Sequence, residues 1–310
     1  MKFALLIGCN YKNIPNARLY GCINDIINIK NMLIDAYDYI NSNIIVLRDD
    51  KPNLLPTRAN IINNLTNVIN ESGNYEELWI HYSGHGSQYV DDNFDEIDGK
   101  DEVIVPYDFQ TEGFITDDVI FNIIKNSKCK TIIVMDCCNS GSVCDLQWSF
   151  ENNETSFDKN MNQNREIINP NIFMISGCKD HQYSNDIYDT ENNESCGALT
   201  STFIKCLRNS KHNIVLFTLY DNICNELITS GFPNQLPVLS SSTEYPEHTF
   251  QKEVIIKTVT VTVTENVPAP QSIPLTKFDQ IHQTLGKNMV SVMVNKAHRD
   301  PNKYKPKKKR

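Results

Sequence analysis

The tightest constraint in this sequence is an abrupt stop. The apolar run Cys129–Val134 leads straight into Met135–Asp145, M-D-C-C-N-S-G-S-V-C-D. A strand that gives way at once to Asn-Ser-Gly-Ser puts a thiol on a sharp turn at the carboxyl end of a sheet, the end at which open α/β sheets hold ligands. A second stretch has the same form: Glu77–Tyr82 reads as a strand, and Ser83-Gly84-His85-Gly86-Ser87 as the turn at its end. Neighbouring strands that end in Cys and His bring together the halves of a thiol–imidazole dyad.

The remaining segments fit a sheet around these two strands. Phe3–Cys9 is an apolar run without alternation, as in a strand buried on both faces. Cys22–Ala36 has a helical period, Ile44–Leu47 reads as a short strand, and Thr57 caps a helix running to about Asn70. A short strand at Val103–Val105 and a helix from about Asp117 to Asn126 precede the Cys strand. Residues 146–170, rich in Asn, Glu, Asp and Ser, read as a long mobile linker. Beyond it come a strand at Asn171–Ser176, helices at 197–208 and 216–230, and a last strand at Gln235–Leu239. The expected class is α/β, a mainly parallel central sheet with helices on both faces. One domain over residues 1–245 is expected, with a larger segment over residues 1–145 and a smaller one over residues 171–245 either side of the linker.

Residues 246–310 form an extension of different character. Val259, Val261 and Val263 alternate with threonines in a one-faced strand pattern, and residues 303–310 are a basic cluster. Residues 251–310 carry 12 basic against 4 acidic side chains, although the whole chain has 29 against 38. An acidic body with a basic tail suggests a catalytic domain plus an appendage, whose basic cluster reads either as a site for a polyanion or an import receptor or as a solvated terminus. The 10 cysteines show no paired spacing, and Phe3–Ile7 is too short for a secretory signal. Reduced thiols in a cytoplasmic or nuclear compartment are therefore expected. No apolar run approaches the ~20 residues of a membrane span.

Cys138, one residue further out on the turn than Cys137, is the better placed nucleophile, with His85 to take its proton. Backbone N–H groups at Gly86 and Cys138 are candidates for stabilising an oxyanion. Several motifs then resemble the metacaspases, most closely their type I subgroup: G-C-I-N-D at 21–25, H-Y-S-G-H-G at 81–86, D-C-C-N-S-G-S at 136–142, I-S-G-C-K-D-H-Q at 175–182, G-A-L-T-S-T-F at 197–203 and Q-L-P-V-L-S-S-S at 235–242. The resemblance covers about residues 1–245. It implies a caspase-like fold, Ca²⁺-stimulated proteolysis, cleavage after Arg or Lys, and a monomer. By position it makes Cys138 the nucleophile and His85 the base. It puts Cys22, Asp25, Ser83 and Asp136 in a pocket for a basic side chain, and Ca²⁺ ligands at Asp101, Asp117, Asp118 and Asp145. Paired carboxylates suit a guanidinium, which they hold bidentately. Lys159 and Arg165, in the linker after the nucleophile, are candidate self-cleavage points.

The acidic stretch from Asp91 is no EF-hand. Asp91, Asn93, Asp95 and Glu102 fit its first, third, fifth and twelfth positions, but Glu96 stands where glycine is needed. Asn139 departs from the family, which has His after the nucleophile. Three rival readings compete. A caspase cutting after Asp needs a basic pocket, where these residues are acidic. A metal site of Cys137, Cys138, Cys144 and His85 lacks a paired C-x-x-C. The third is a catalytically silent caspase-like scaffold.

Overall fold

The computed structural model describes residues 1–90, 100–137, 143–144, 146–153, 156–161, 167–177, 186–189 and 194–252. The chain begins with β1 (Lys2–Gly8), α1 (Cys22–Tyr37), β2 (Ile44–Arg48), α2 (Arg58–Asn70) and β3 (Glu77–Ser83). There follow β4 (Gly86–Val90), β5 (Lys100–Ile104), α3 (Phe109–Glu112), β6 (Ile115–Thr116), α4 (Asp117–Ile124) and β7 (Lys130–Asp136). After the turn come β8 (Trp148–Asn153), β9 (Ser156–Met161), β10 (Ile172–Ser176), β11 (Asp186–Asp189) and β12 (Glu194–Gly197). The last elements are α5 (Ala198–Asn209), β13 (Asn213–Val215), α6 (Leu216–Thr229), β14 (Val238–Ser241) and β15 (Thr249–Gln251).

One eight-stranded sheet, in the order β2-β1-β3-β7-β10-β14-β8-β9, organises the body. Its first five strands are parallel, and β14, β8 and β9 add antiparallel pairings at one side. Successive residues of the central strands serve opposite faces, which is why these strands are apolar throughout. Ala4, Leu6, Trp79, Ile132 and Val134 face α1, α5 and α6. Leu5, Ile7, Leu78, Ile80, Tyr82, Ile133 and Met135 face α2 and α4. The Thr57 hydroxyl accepts from the Asn60 N–H at 3.2 Å, the helix cap expected from sequence.

Three expectations change. Residues 148–161 are not a linker but a hairpin, β8 pairing with β14 and β9 with β8. Phe150 is buried opposite Leu239, and the Tyr220 hydroxyl on α6 sits 2.9 Å from the Phe150 carbonyl and 2.8 Å from that of Pro237. The hairpin was hidden because, among the described side chains, Trp148 and Phe150 are the large apolar ones that turn inward, while Asp158–Met161 on the outer strand face solvent. The strand expected at Gln235–Leu239 is β14, which begins at Val238, after Pro237, which has no N–H to give a ladder. Finally, β15 pairs with β13, so the body runs past residue 245 and its compact unit is Met1–Val254.

No described helix is long and apolar enough to cross a membrane. The Val259–Val263 pattern and the basic cluster 303–310 lie outside the described residues. Because Phe150 fills the sheet face beside Phe217, its ring centroid 5.2 Å away, Phe150→Ala is expected to lower the unfolding free energy by about 3 kcal/mol. Chemical denaturation measures it, and a loss under about 1 kcal/mol would mean the hairpin does not dock.

Candidate active site

Parallel register places three strand ends side by side. Gly8 of β1 is opposite Ser83 of β3, and Ser83 is opposite Asp136 of β7. The pairing continues one step beyond the strands: the Cys9 N–H donates to the Ser83 carbonyl at 3.0 Å and the Gly84 N–H to that of Asp136 at 3.3 Å. Gly8 lets the start of α1 settle on the end of β1, since a Cβ there would stand 2.6 Å from the Cys22 carbonyl oxygen. Cys22 and Asp25 are thus brought over Ser83 and Asp136.

His85 lies one residue beyond Gly84 and is held from four directions. Its N–H donates to the Tyr11 hydroxyl at 3.0 Å, and its carbonyl accepts from the Tyr82 hydroxyl at 2.7 Å and the Val105 N–H at 3.1 Å. Its ring lies against that of Tyr11, centroids 4.8 Å apart. Its Nε2 is 2.8 Å from the Ala17 carbonyl oxygen. A carbonyl only accepts, so Nε2 carries the hydrogen and Nδ1 of the neutral ring is left as the proton acceptor. The loop that supplies Ala17 is itself tied down, with the Asp49 carboxylate accepting from the N–H groups of Asn10 at 3.0 Å and Lys12 at 3.3 Å. Gly86 opens β4 directly after His85.

Cys137 is excluded as the attacking thiol. It is buried on the α2/α4 side of the sheet among Met135, Val143 and Cys144. Strand alternation turns Asp136 to the opposite face. Cys138 and Asp145 lie outside the described residues. Among the described residues no group of three or more Cys, His, Asp or Glu could hold a metal ion. Of the metal site suggested by the residues, the two described thiols, Cys137 and Cys144, are core side chains.

Of the four residues that the resemblance groups, Asp25, Ser83 and Asp136 come together at the start of α5. The Ser83 hydroxyl donates to Asp25 Oδ2 at 2.6 Å, and the Gly197 N–H donates to Asp25 Oδ1 at 2.9 Å. Asp25 does not cap its own helix, whose N-cap is Gly21. Asp136 Oδ2 accepts from the Thr200 N–H at 2.8 Å and the Thr200 hydroxyl at 2.7 Å. Both carboxylates therefore meet the start of α5, where unpaired N–H groups favour negative charge. Relative exposure is 3% for Cys22, 1% for Asp25, 2% for Ser83 and 4% for Asp136.

A second acidic corner joins β5 to α4. Asp117, buried in the first turn of α4, accepts from the N–H groups of Glu102 at 2.9 Å and Asp118 at 2.7 Å. Burial pushes its carboxyl up to about 8, the nearby Glu102 and Asp101 charges adding to this while the two N–H bonds act against it. Thr116, not Asp117 or Asp118, caps the helix. The described residues of this corner do not make a group that could hold a metal ion.

Of the self-cleavage candidates, Lys159 sits in β9 opposite Phe150, its ammonium on Glu244 and over the rings of Trp148 and Tyr245. Those contacts disfavour it as a cleavage point. Arg165 lies outside the described residues. Sequence reasoning missed Tyr11, Ala17, His81 and Thr200. Only Thr200 and His81 lay in recognised motifs, G-A-L-T-S-T-F and H-Y-S-G-H-G, where they carried no assigned role.

Residues 2–147 match the family model described as metacaspase, peptidase C14 domain. Metacaspase-1 of Eremothecium gossypii is 32% identical over an alignment of 292 residues, covering 77% of this chain and 63% of that protein. Metacaspase-1 of Candida glabrata is 31% identical over 288 residues, covering 77% of this chain and 72% of that protein. The chain thus spans less than two thirds of the Eremothecium protein. Among solved structures, caspase-1 of Spodoptera frugiperda matches with a TM-score of 0.53 at 11% identity, covering 81% of this chain and 90% of that one. The fold is therefore caspase-like.

His81, on β3 beneath the acid pair, has a pH signature. It is fully buried, and desolvation pushes it down from 6.5 to about 3. Between those values the unfolded chain binds a proton that the folded chain refuses, so stability is lost as pH falls from 6.5 towards 3. His81→Gln is expected to reduce that slope by up to about 1.4 kcal/mol per pH unit in denaturant titrations. Parallel slopes for the two proteins would show that His81 protonates without unfolding.

Proposed function

The chain belongs to the metacaspase family, and on that basis we propose that it is a cysteine endopeptidase with Cys138 as nucleophile and His85 as base. The observation that carries the reading is the bond from His85 Nε2 to the Ala17 carbonyl. It assigns the proton on the ring and aims the free Nδ1 away from Ala17. In this reading Nδ1 takes the Cys138 proton, and the thiolate attacks the scissile carbonyl carbon. Backbone N–H groups, that of Gly86 among them, receive the charge on the carbonyl oxygen. Nδ1–H then protonates the departing amine, and the same nitrogen activates the water that releases the acyl group.

The substrate class follows from Asp25 and Asp136. Two carboxylates beside Ser83 and Cys22 complement Arg or Lys before the scissile bond and repel Asp. Ca²⁺ is the proposed cofactor, held by Asp101, Asp117, Asp118 and Asp145. Bound there, it would supply positive charge beside the buried Asp117 carboxyl, between β5 and α4. Self-processing, if it accompanies activation, falls to Arg165 in preference to Lys159, which is engaged in the hairpin.

The test is hydrolysis of fluorogenic peptides ending in Arg, Lys or Asp, with millimolar Ca²⁺ or a chelator. Wild type is expected to cleave after Arg and Lys in Ca²⁺ only. Cys138→Ala and His85→Ala are each expected to lower kcat at least about a thousandfold. Cleavage after Asp would overturn the pocket, and equal rates in chelator would overturn the Ca²⁺ role. No cleavage under any condition would favour the silent scaffold, for which the burial of the acid pair is the one supporting observation.

A further inference from the structure

The motif G-A-L-T-S-T-F opens α5, and two of its residues touch the acid pair. Gly197 has no room for a side chain: a Cβ would stand 2.2 Å from Asp136 Oδ2 and 3.0 Å from Asp25 Oδ2. The backbone of α5 therefore approaches both carboxylates as closely as a peptide can. Three residues on, Thr200 places two donors on one oxygen, its N–H at 2.8 Å and its hydroxyl at 2.7 Å from Asp136 Oδ2. Two donors converging on a single oxygen fix the rotation of the carboxylate plane, which one donor would leave free.

Behind Thr200 lies His81. Its Nε2 is 3.4 Å from the Thr200 hydroxyl oxygen, and its Nδ1 is buried without a hydrogen-bond partner. The Thr200 hydroxyl hydrogen is committed to Asp136, so its oxygen accepts and the His81 proton resides on Nε2. Burial keeps that ring neutral. The result is a directed chain, His81 Nε2–H to Thr200 O–H to Asp136, running from the sheet through the helix to the pocket. A fully buried imidazole with one idle nitrogen is a poor choice for packing alone, because its idle acceptor has lost water. It becomes intelligible as the element that sets which way the Thr200 hydroxyl points.

We propose that Thr200, backed by His81, is a positioning residue for Asp136 and sets the preference of the pocket for a planar guanidinium over an ammonium. This rests on the reading that Asp136 receives the basic side chain of the substrate. With Oδ2 taken by Thr200, the substrate meets Asp136 at Oδ1, and the fixed fork of a guanidinium needs that oxygen held in one orientation, whereas lysine is satisfied by a point charge in many. Loosening the Asp136 plane therefore harms arginine more than lysine.

The experiment compares wild type with Thr200→Val, which keeps the shape and the backbone N–H, and Thr200→Ser, which restores the hydroxyl. KM and kcat are measured on matched Arg-ending and Lys-ending peptides. The alkylation rate of Cys138 by iodoacetamide, which does not use the pocket, is followed in parallel. Thr200→Val is expected to raise KM for the Arg peptide about tenfold and to shrink the Arg-to-Lys ratio of kcat/KM. Thr200→Ser should recover both, with alkylation alike in all three proteins. The ratio does not depend on how much protein is folded, so a loss of stability in Thr200→Val leaves the comparison intact. An unchanged ratio in Thr200→Val, or a ratio that Thr200→Ser fails to recover, overturns the proposal while leaving the pocket reading in place. A wild type that cleaves after neither Arg nor Lys removes the pocket reading and this proposal with it.

Discussion

The register of three parallel strands is the constraint on which the active end depends. Gly8, Ser83 and Asp136 are neighbours only because β1, β3 and β7 pair without offset. A slip of one residue would turn every side chain of a strand to the other face. Apolar runs buried on both sides do not say which face is which, so large side chains must hold the alignment. Trp79 does this towards the helices, edge-on to Phe203 at 5.9 Å. Tyr82 does it on the other face, where its hydroxyl lies 3.2 Å from that of Tyr11. The same Tyr82 hydroxyl donates to the His85 carbonyl, so a contact of β3 also holds His85 at its end.

Two carboxylates buried side by side need donors on every flank, because each is far from water and repels the other. Here the donors come from three sources: the Ser83 hydroxyl on the sheet, the Gly197 N–H at the start of α5, and the paired donors of Thr200. The helix thus completes a site whose charges belong to other elements. This also explains the missing side chain at Gly197, which stands where bulk would fall on the acids. The second acidic corner, at Asp117, is compensated less well by protein donors, and its carboxyl is pushed up accordingly.

Much of this was legible in the residues. Apolar runs without alternation located β1, β3, β7 and β10, and the turn residues after β3 located His85. Thr57 announced α2 through a local hydrogen bond that sequence encodes directly. What escaped notice depends on distant neighbours. The β8–β9 hairpin has too polar an outer strand to signal itself, and it exists because β14 offers an edge and Tyr220 reaches its backbone. Ala17 contributes only a carbonyl, which any residue carries, so no side-chain pattern marks it. His81 and Thr200 are 119 positions apart and acquire meaning only when α5 crosses the end of β3.

The pocket is shared between the two halves of the chain. Cys22, Asp25, Ser83 and Asp136 precede the β8–β9 hairpin, while Gly197 and Thr200 follow it. The halves are sewn together by backbone pairing, with β10 seated between β7 and β14 and β8 laid along β14. Covalent continuity through the intervening segment is therefore not what keeps donors and acids in contact. A molecule cut once in that segment would remain a single folded object carrying one whole pocket, its two pieces fastened by the sheet as firmly as two subunits are by an interface.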